Sequence, residues 1–330
     1  MTKRKQDSHQ AEPATNEVSK EAAPQQTAAP APAAAPQAPE PGKEKSAWDK
    51  LHYASCTSGG GARLLNPAGA ADGEDDEMLH PQHVAIIGAT SAMAEHCARL
   101  WAERAPQRIT LIARSAERLA RIAGDLRVRA PAAAIETLTL ADFCDAAAIE
   151  EAVARTWALA PVDLALVAHG MLAEQEDCQN DVQLAREMLM VNGVSPALFA
   201  EALVGRMQQA GSGALAVIGS VAGDRGRKAN YTYGAGKGLV ERYMQGLQHR
   251  LAYAGSDVRA TLIKPGPTDT PMTATQKAAG ARMASVETVA AAIVRAVDAG
   301  KAQAYVPGRW ALIMAVIRNL PSCIFNRLNV

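Results

Sequence analysis

Residues Ser220 to Lys237 read SVAGDRGRKANYTYGAGK. The stretch follows an apolar run, Ala214-Leu-Ala-Val-Ile218, that ends in Gly219, and it closes on Tyr233-Gly-Ala-Gly-Lys237, the opening of a helix. Tyr and Lys at i and i+4 share one helix face, one turn apart. A free phenol has a pKa near 10 and is a poor proton donor or acceptor at neutral pH. A cation one turn away is expected to favour the phenolate and draw that pKa down. Ser220 lies at the C-terminal lip of a strand, where open α/β sheets bind ligands. Two hydroxyls can then reach one carbonyl oxygen, a geometry suited to carbonyl reduction or alcohol oxidation. A lone Tyr-x-x-x-Lys is ordinarily a surface pair, so the strand-ending serine and the glycine turn upstream give it weight.

Upstream, Val84-Ala-Ile-Ile87 is a short buried strand that runs into Gly88-Ala-Thr-Ser-Ala-Met-Ala94 and an amphipathic helix reaching about Arg104. Strand, glycine turn and helix N-terminus make an anion site, because unpaired N–H groups and the positive dipole end face the turn. Gly88, Thr90, Ser91, Ala92 and Met93 are therefore cofactor candidates. A second strand, Arg108 to Ala113, ends at Arg114. With no acid there for a ribose 2′-hydroxyl and an arginine for a 2′-phosphate, NADP(H) is preferred over NAD(H). The other reading is that Arg114 only starts the next helix. After a third strand around Ile135 to Leu140, Asp142 is the available carboxylate beside the adenine, while strict register gives Thr139. A fourth strand, Asp163 to Ala168, ends at His169-Gly170. Gly170 permits close approach of a cofactor. His169 reads as a base or as a backbone-packing residue.

Val191-Asn192-Gly193 interrupts the helical stretch Asn180 to Gln209. Asn and Gly weaken a helix interior, so Asn192 needs a partner or caps a helix. After a long helix to about Ala254, a sixth strand, Val258 to Lys264, ends in Pro265-Gly-Pro-Thr-Asp-Thr270. Residues 271–285 show no clear period and read as a mobile substrate loop. A helix over Val286 to Ala299 and a short strand at Ala304 to Val306 complete the domain. The tail holds Trp310-Ala-Leu-Ile-Met-Ala-Val-Ile317, too short to span a bilayer. It suits an interfacial helix or lid on one reading, and a dimer contact or core packing on the other.

The alternation of strands and helices predicts a single Rossmann-type, doubly wound parallel α/β sheet over 81–307, with an apolar helix over 308–330. Residues 1–80 are dominated by Ala, Pro, Gln and Glu, then by Ser58-Gly-Gly-Gly61 and Glu74-Asp-Asp-Glu77, and are expected to be a disordered tail. Translation starting at Met78 is an alternative. Formal net charge is zero over 330 residues, which argues against a nucleic-acid partner. Five dispersed cysteines without CxxC or metal-ligand spacing fit a reducing cytoplasm and no metal site. The polar N-terminus lacks an apolar signal core, and no continuous apolar run reaches the length of a spanning helix.

Gly88, Asn192, Ser220, Tyr233, Lys237 and Pro265-Gly266, in that order and spacing over about 84 to 310, resemble the short-chain dehydrogenase/reductase family. The turn resembles the family's G-x-x-x-G-x-G, with Ala92 and Ala94 for the later glycines, and Ala168-His169-Gly170 departs from its Asn-Ala-Gly. GATSAMA, VAHG, SVAGDRGR, YGAGK, KPGPTDTPM and the apolar tail are similar to the subgroup of decaprenylphosphoryl-keto-pentose (arabinose) reductases. The resemblance implies Tyr233 as general acid in reduction and base in oxidation, and Lys237 as the residue that lowers its pKa and holds the nicotinamide ribose. It implies Ser220 as the carbonyl orienter, and Asn192 as the holder of a water that links Lys237 to solvent. The Pro265-Gly266 turn, Thr268 and Thr270 would meet the nicotinamide carboxamide. A homodimer or homotetramer is implied, acting on a small-molecule or lipid-linked carbonyl, in the cytoplasm or peripherally at the inner membrane face. Arg225 and Arg227, between Ser220 and Tyr233, could grip a substrate phosphate bidentately. Competing readings are a soluble reductase of small ketones or 3-oxoacyl thioesters, and a non-catalytic dinucleotide sensor.

Overall fold

The computed structural model describes residues 78–328. The tail expected over 1–80 falls almost wholly outside them. Seven parallel strands run β1 (His83–Ile87), β2 (Arg108–Ala113), β3 (Ala134–Thr139), β4 (Leu164–Val167), β5 (Ser212–Ile218), β6 (Asp257–Pro265) and β7 (Gln303–Val306). Their order across the sheet is β3-β2-β1-β4-β5-β6-β7. The order reverses between β1 and β4, the switch point at which doubly wound sheets bind ligands. β1 pairs with β2 from His83↔Arg108 to Ile87↔Ile112, and with β4 from Val84↔Leu164 to Ile87↔Val167. Near-continuous Val, Ile, Leu and Ala runs in β1, β4 and β5 are what a strand covered on both faces requires.

Helices cover both faces. α1 (Ala92–Ala102) and α2 (Ala116–Arg129) pack with α9 (Val286–Asp298) on one side, sharing a core with Val84, Ile86, Trp101, Leu119 and Ile293. α3 (Ala146–Leu159), α6 (Ser195–Ala210) and α7 (Tyr231–Tyr253) cover the other, around Ile87, Phe199, Leu203 and Val240. Between β4 and α6 come α4 (Gln175–Asn180), α5 (Val182–Leu189) and a π turn, Met190–Val194. Asp145, Asp181 and Ser285 cap α3, α5 and α9 by accepting backbone N–H groups in their first turns.

One expectation changes. Residues 271–285, read as a loop without period, contain a 3-10 turn (Pro271–Thr273) and α8 (Ala274–Ala278). The capping arrangement of Thr270 and Thr273 stabilises that turn through short-range bonds that leave no hydrophobic period. Among the described residues one helical stretch, Val182–Ala210, is long and apolar enough to cross a membrane. Its Phe199, Leu203, Val204 and Met207 are buried in the core, so it packs as an interior helix. The tail forms α10 (Arg309–Asn319) and α11 (Ser322–Phe325).

Candidate active site

β1 delivers the chain to Gly88, whose φ of +77° suits glycine. A Cβ there would sit 2.5 Å from the backbone nitrogen of His169, so the close approach of the β1 and β4 ends requires glycine too. Gly88 and Ala89 N–H groups both donate to the Ile112 carbonyl, which fixes the turn. The first N–H groups of α1, from Ala92 onward, have no intrahelical acceptor and point to the turn. Together these line a cleft of about 410 Å³ at the β1/β4 switch point. Gly88, Thr90, Ser91, Ala92, Met93, Arg114, Asp142, Gly170 and Thr270 all stand on its wall.

Arg118 and Arg121 stand there beside Arg114, and sequence reading did not single them out. Their signal was present: Arg118 and Arg121 stand one turn apart at the start of α2, just after Arg114. Arg118 donates to the Thr90 carbonyl at 2.7 Å, while Arg121 approaches Glu95 at 3.4 Å. Glu95 is further neutralised by Arg99 at 2.6 Å. The basic wall, the unpaired helix N–H groups and the glycine approach fit a dinucleotide phosphate. Asp142, not Thr139, lines the cleft, and its Oδ1 also accepts the Cys144 N–H at 2.7 Å.

Asn192 does not cap a helix. It sits in the π turn, where one inserted residue turns its side chain inward. Its amide donates to the Met171 and Met188 carbonyls and its Oδ1 accepts the Met171 N–H at 3.1 Å. A Cβ on Gly170 would be 2.9 Å from Asn192 Oδ1 and 3.8 Å from Lys237 Nζ, so cleft floor, asparagine and lysine are neighbours. His169 is no base. Its Nε2 meets Ser195 Oγ at 2.8 Å, its ring packs against Phe143 and Phe199, and burial drives its pKa down to about 3.

Tyr233 is in the first turn of α7, with Lys237 one turn on. Lys237 is buried, its Nζ donates to the Ile218 carbonyl at 2.9 Å, and burial lowers its pKa to about 8. Its Nζ lies 5.9 Å from the Tyr233 ring centroid. Spacing leads to the expectation that Lys237 draws the Tyr233 pKa down; in the protein chain by itself, the balance at the phenol lies the other way. Burial raises the phenol, and what pulls against that rise is the Ser220 hydroxyl and the Arg227 guanidinium. The lysine is turned to the strand end and to Gly170. Ser220 Oγ also accepts the Ala222 N–H at 3.0 Å, which anchors it at the β5 lip.

Pro265, Gly266 and Thr268 do not line the cleft, and neither do Asn192, Ser220, Tyr233 and Lys237. Gly266 faces the Trp310 indole, and Thr268 is buried with its hydroxyl bonded to the Gly266 carbonyl at 2.9 Å. Trp310 lies far along the chain, so nothing in the Pro-Gly turn itself announces its cover.

The two arginines of the 220–237 stretch part company. Arg225 is engaged by the C-terminal helices instead. Its Nη1 donates to the Ile317 and Leu320 carbonyls at 2.7 and 2.6 Å, and its guanidinium lies 3.8 Å from the Phe325 ring centroid. A helix C-terminus offers unpaired carbonyls, and a planar cation fits both them and an aromatic face. Arg227 stays near Tyr233. It is half-buried, burial lowers its pKa, and its Nε is buried with no protein partner. Asn230 Oδ1, three residues on, is also buried and unpartnered.

Behind the loop lies a buried charge cluster that the sequence did not reveal. Lys264 Nζ on β6 meets Glu241 on α7 at 2.8 Å and Asp224 of the loop. Tyr305 on β7 donates to Asp224 Oδ2 at 2.7 Å. Burial opposes the Lys264 charge, but its bonds to Asp224 and Glu241 outweigh that and hold its pKa above the usual value. One ammonium thus ties the catalytic helix, the serine loop and the sheet edge.

Residues 82–280 match the family model described as short chain dehydrogenase. The chain is a short-chain dehydrogenase. An uncharacterised oxidoreductase of Mycobacterium tuberculosis is 34% identical over 257 residues, covering 77% of this chain and 99% of the relative. One from the mprA 5′ region of Streptomyces coelicolor is 31% identical over 252 residues, covering 76% and 97%. Among solved structures, a short chain dehydrogenase from Burkholderia cenocepacia in complex with NADP superposes with a TM-score of 0.63 at 19% identity, covering 75% of this chain and 97% of that one. Such matches establish a short-chain oxidoreductase of the NAD(P) type. They do not extend to the keto-pentose reductase subgroup, whose substrate stays a proposal.

Proposed function

We propose that the protein reduces a ketone with NADPH, with Tyr233 as proton donor, and that the substrate carries an anionic group held by Arg227. The observation that carries the substrate reading is Arg227 Nε, buried without a protein partner on a side chain near enough to Tyr233 to act on its charge. An unmet buried donor is costly unless a ligand completes it. A phosphate or carboxylate on the substrate would complete Arg227 and stand close to the reacting carbonyl.

In this reading Ser220 orients the carbonyl oxygen, and Tyr233 gives it a proton as the carbinol forms. The bound nicotinamide supplies the hydride. Arg227, opposite the phenol, stabilises the phenolate left behind. Lys237, ammonium below about pH 8, holds charge at the Gly170 floor where a ribose would rest, and Asn192 keeps that floor in shape. Arg114, Arg118 and Arg121 favour a 2′-phosphate, hence NADP(H) over NAD(H). The reading includes a homodimer or homotetramer in the cytoplasm, and a sugar or lipid-linked ketone as one substrate class.

Paired kinetics test it. Arg227→Gln should raise KM for phosphorylated ketones about tenfold or more and leave KM for a neutral ketone within about twofold, while the lost support of the phenolate lowers kcat for both alike. Equal effects on the two KM values would remove the anionic substrate. Arg114→Ala should cost NADPH about tenfold in KM and spare NADH; an unchanged NADPH/NADH ratio would remove the cofactor preference.

A further inference from the structure

The C-terminal helices are apolar on two opposite sides. Inward, Met314 is fully buried and Trp310 closes over Gly266. Outward, Leu312, Ile313 and Val316 are 74%, 38% and 57% exposed. At about 100° per residue these three fall within about a quarter of the helix circumference, together with Arg309. Ile324 and Leu328 extend the exposed apolar surface past α11, at 48% and 42%. A helix at a protein–water boundary ordinarily turns a polar face outward. Here that face is greasy. The segment is also firmly fastened, because Arg225 grips the carbonyls at the end of α10 and stacks on Phe325.

Charge decides what covers it. From Gly308 to Val330 there are three arginines, Arg309, Arg318 and Arg327, and no aspartate or glutamate. All three arginines are exposed; by the same 100° rule Arg309 lies on the apolar face and Arg318 on the opposite side of α10. A twofold contact between copies through this face would set arginine against arginine, with no carboxylate in the segment to pair them. An anionic lipid surface takes both features at once, since apolar side chains enter the acyl boundary while arginines meet the headgroups.

We propose that the outer face of α10 and α11 seats the protein on an anionic membrane surface, whatever ketone the cleft reduces. The segment does not insert across the bilayer, since α10 has 11 residues and a span needs about 20.

The test is co-sedimentation of the full chain with phosphatidylglycerol/phosphatidylcholine vesicles and with pure phosphatidylcholine vesicles. Binding should be confined to the anionic vesicles and weaken as salt rises. Leu312→Glu with Val316→Glu should abolish it while NADPH binding is unchanged. Arg309 and Arg327 changed together to Gln should weaken it about 25-fold, at roughly fivefold per charge, and Arg318→Gln should weaken it less. No sedimentation of the wild-type chain, or sedimentation untouched by both sets of changes, overturns the proposal. So does a lipid-free dimer that the Leu312→Glu/Val316→Glu chain fails to form, because a second copy would then be the cover.

Discussion

Two stretches build the candidate site, and they differ in kind. The Gly88–Ala94 turn works through its backbone: a positive φ, a close approach to His169, and helix N–H groups left without acceptors. The Ser220–Lys237 stretch works through side chains whose roles are assigned by distant partners. Arg225 is claimed by α10, Asp224 by Lys264 and Tyr305, and Lys237 by the Ile218 carbonyl. Local backbone chemistry survives transfer from sequence to structure. Side-chain purpose depends on what the rest of the chain puts nearby.

The largest expected effect tests the side-chain half alone. Tyr233→Phe should lower kcat about 10²–10⁴-fold, the usual range for a lost acid–base group, with NADPH binding retained. Loss of NADPH binding to the same degree would mean that the two stretches are not separable.

Lys264→Met tests the support behind that stretch. Removing the ammonium leaves Asp224 and Glu241 buried together, and should cost about 3–5 kcal/mol of stability. Urea unfolding measures it, and a change below about 1 kcal/mol would show that the cluster is not held as described. Adding Asp224→Asn and Glu241→Gln should recover much of the loss.

Gly88→Ala probes the backbone half. Strain at positive φ and the contact with the His169 backbone should cost about 1–3 kcal/mol and weaken NADPH binding more than Tyr233→Phe does. Wild-type stability and affinity in this variant would remove the close-approach argument.

The smallest effect sharpens the difference by pH. Lys237 is an ammonium below its pKa of about 8 and neutral above it. Tyr233 titrates above its ordinary value, so it keeps its proton across that window. Reduction should therefore hold level at lower pH and fall through about pH 8, before the phenol ionises. Lys237→Met should be slow throughout and show no inflection there. A wild-type profile that is flat to pH 10 would sink the assignment.

Strand periodicity and glycine placement made the sheet and its switch point readable. Apolar runs such as Val84–Ile87 and Ala214–Ile218 bury on both faces wherever they are placed in a doubly wound sheet. Asn192 was conspicuous because a polar residue in an apolar helix needs an explanation. The π turn that provides it comes from packing against α7, where Gly193 and Gly236 nearly touch. Trp310 over Gly266 and Lys264 between Asp224 and Glu241 carried no local pattern at all.

By itself the sequence determined the order of strands and helices, the glycine turn and the spacing of serine, tyrosine and lysine, because these depend on residues within a few turns of one another. Only the tertiary structure decided which arginine stays beside the phenol and which fastens the C-terminal helix. It also set the balance at the Tyr233 phenol, where burial raises the pKa and the Ser220 hydroxyl and Arg227 pull against that rise. Desolvation and charge proximity are sums over everything within several ångströms, and most of what surrounds these groups comes from remote parts of the chain.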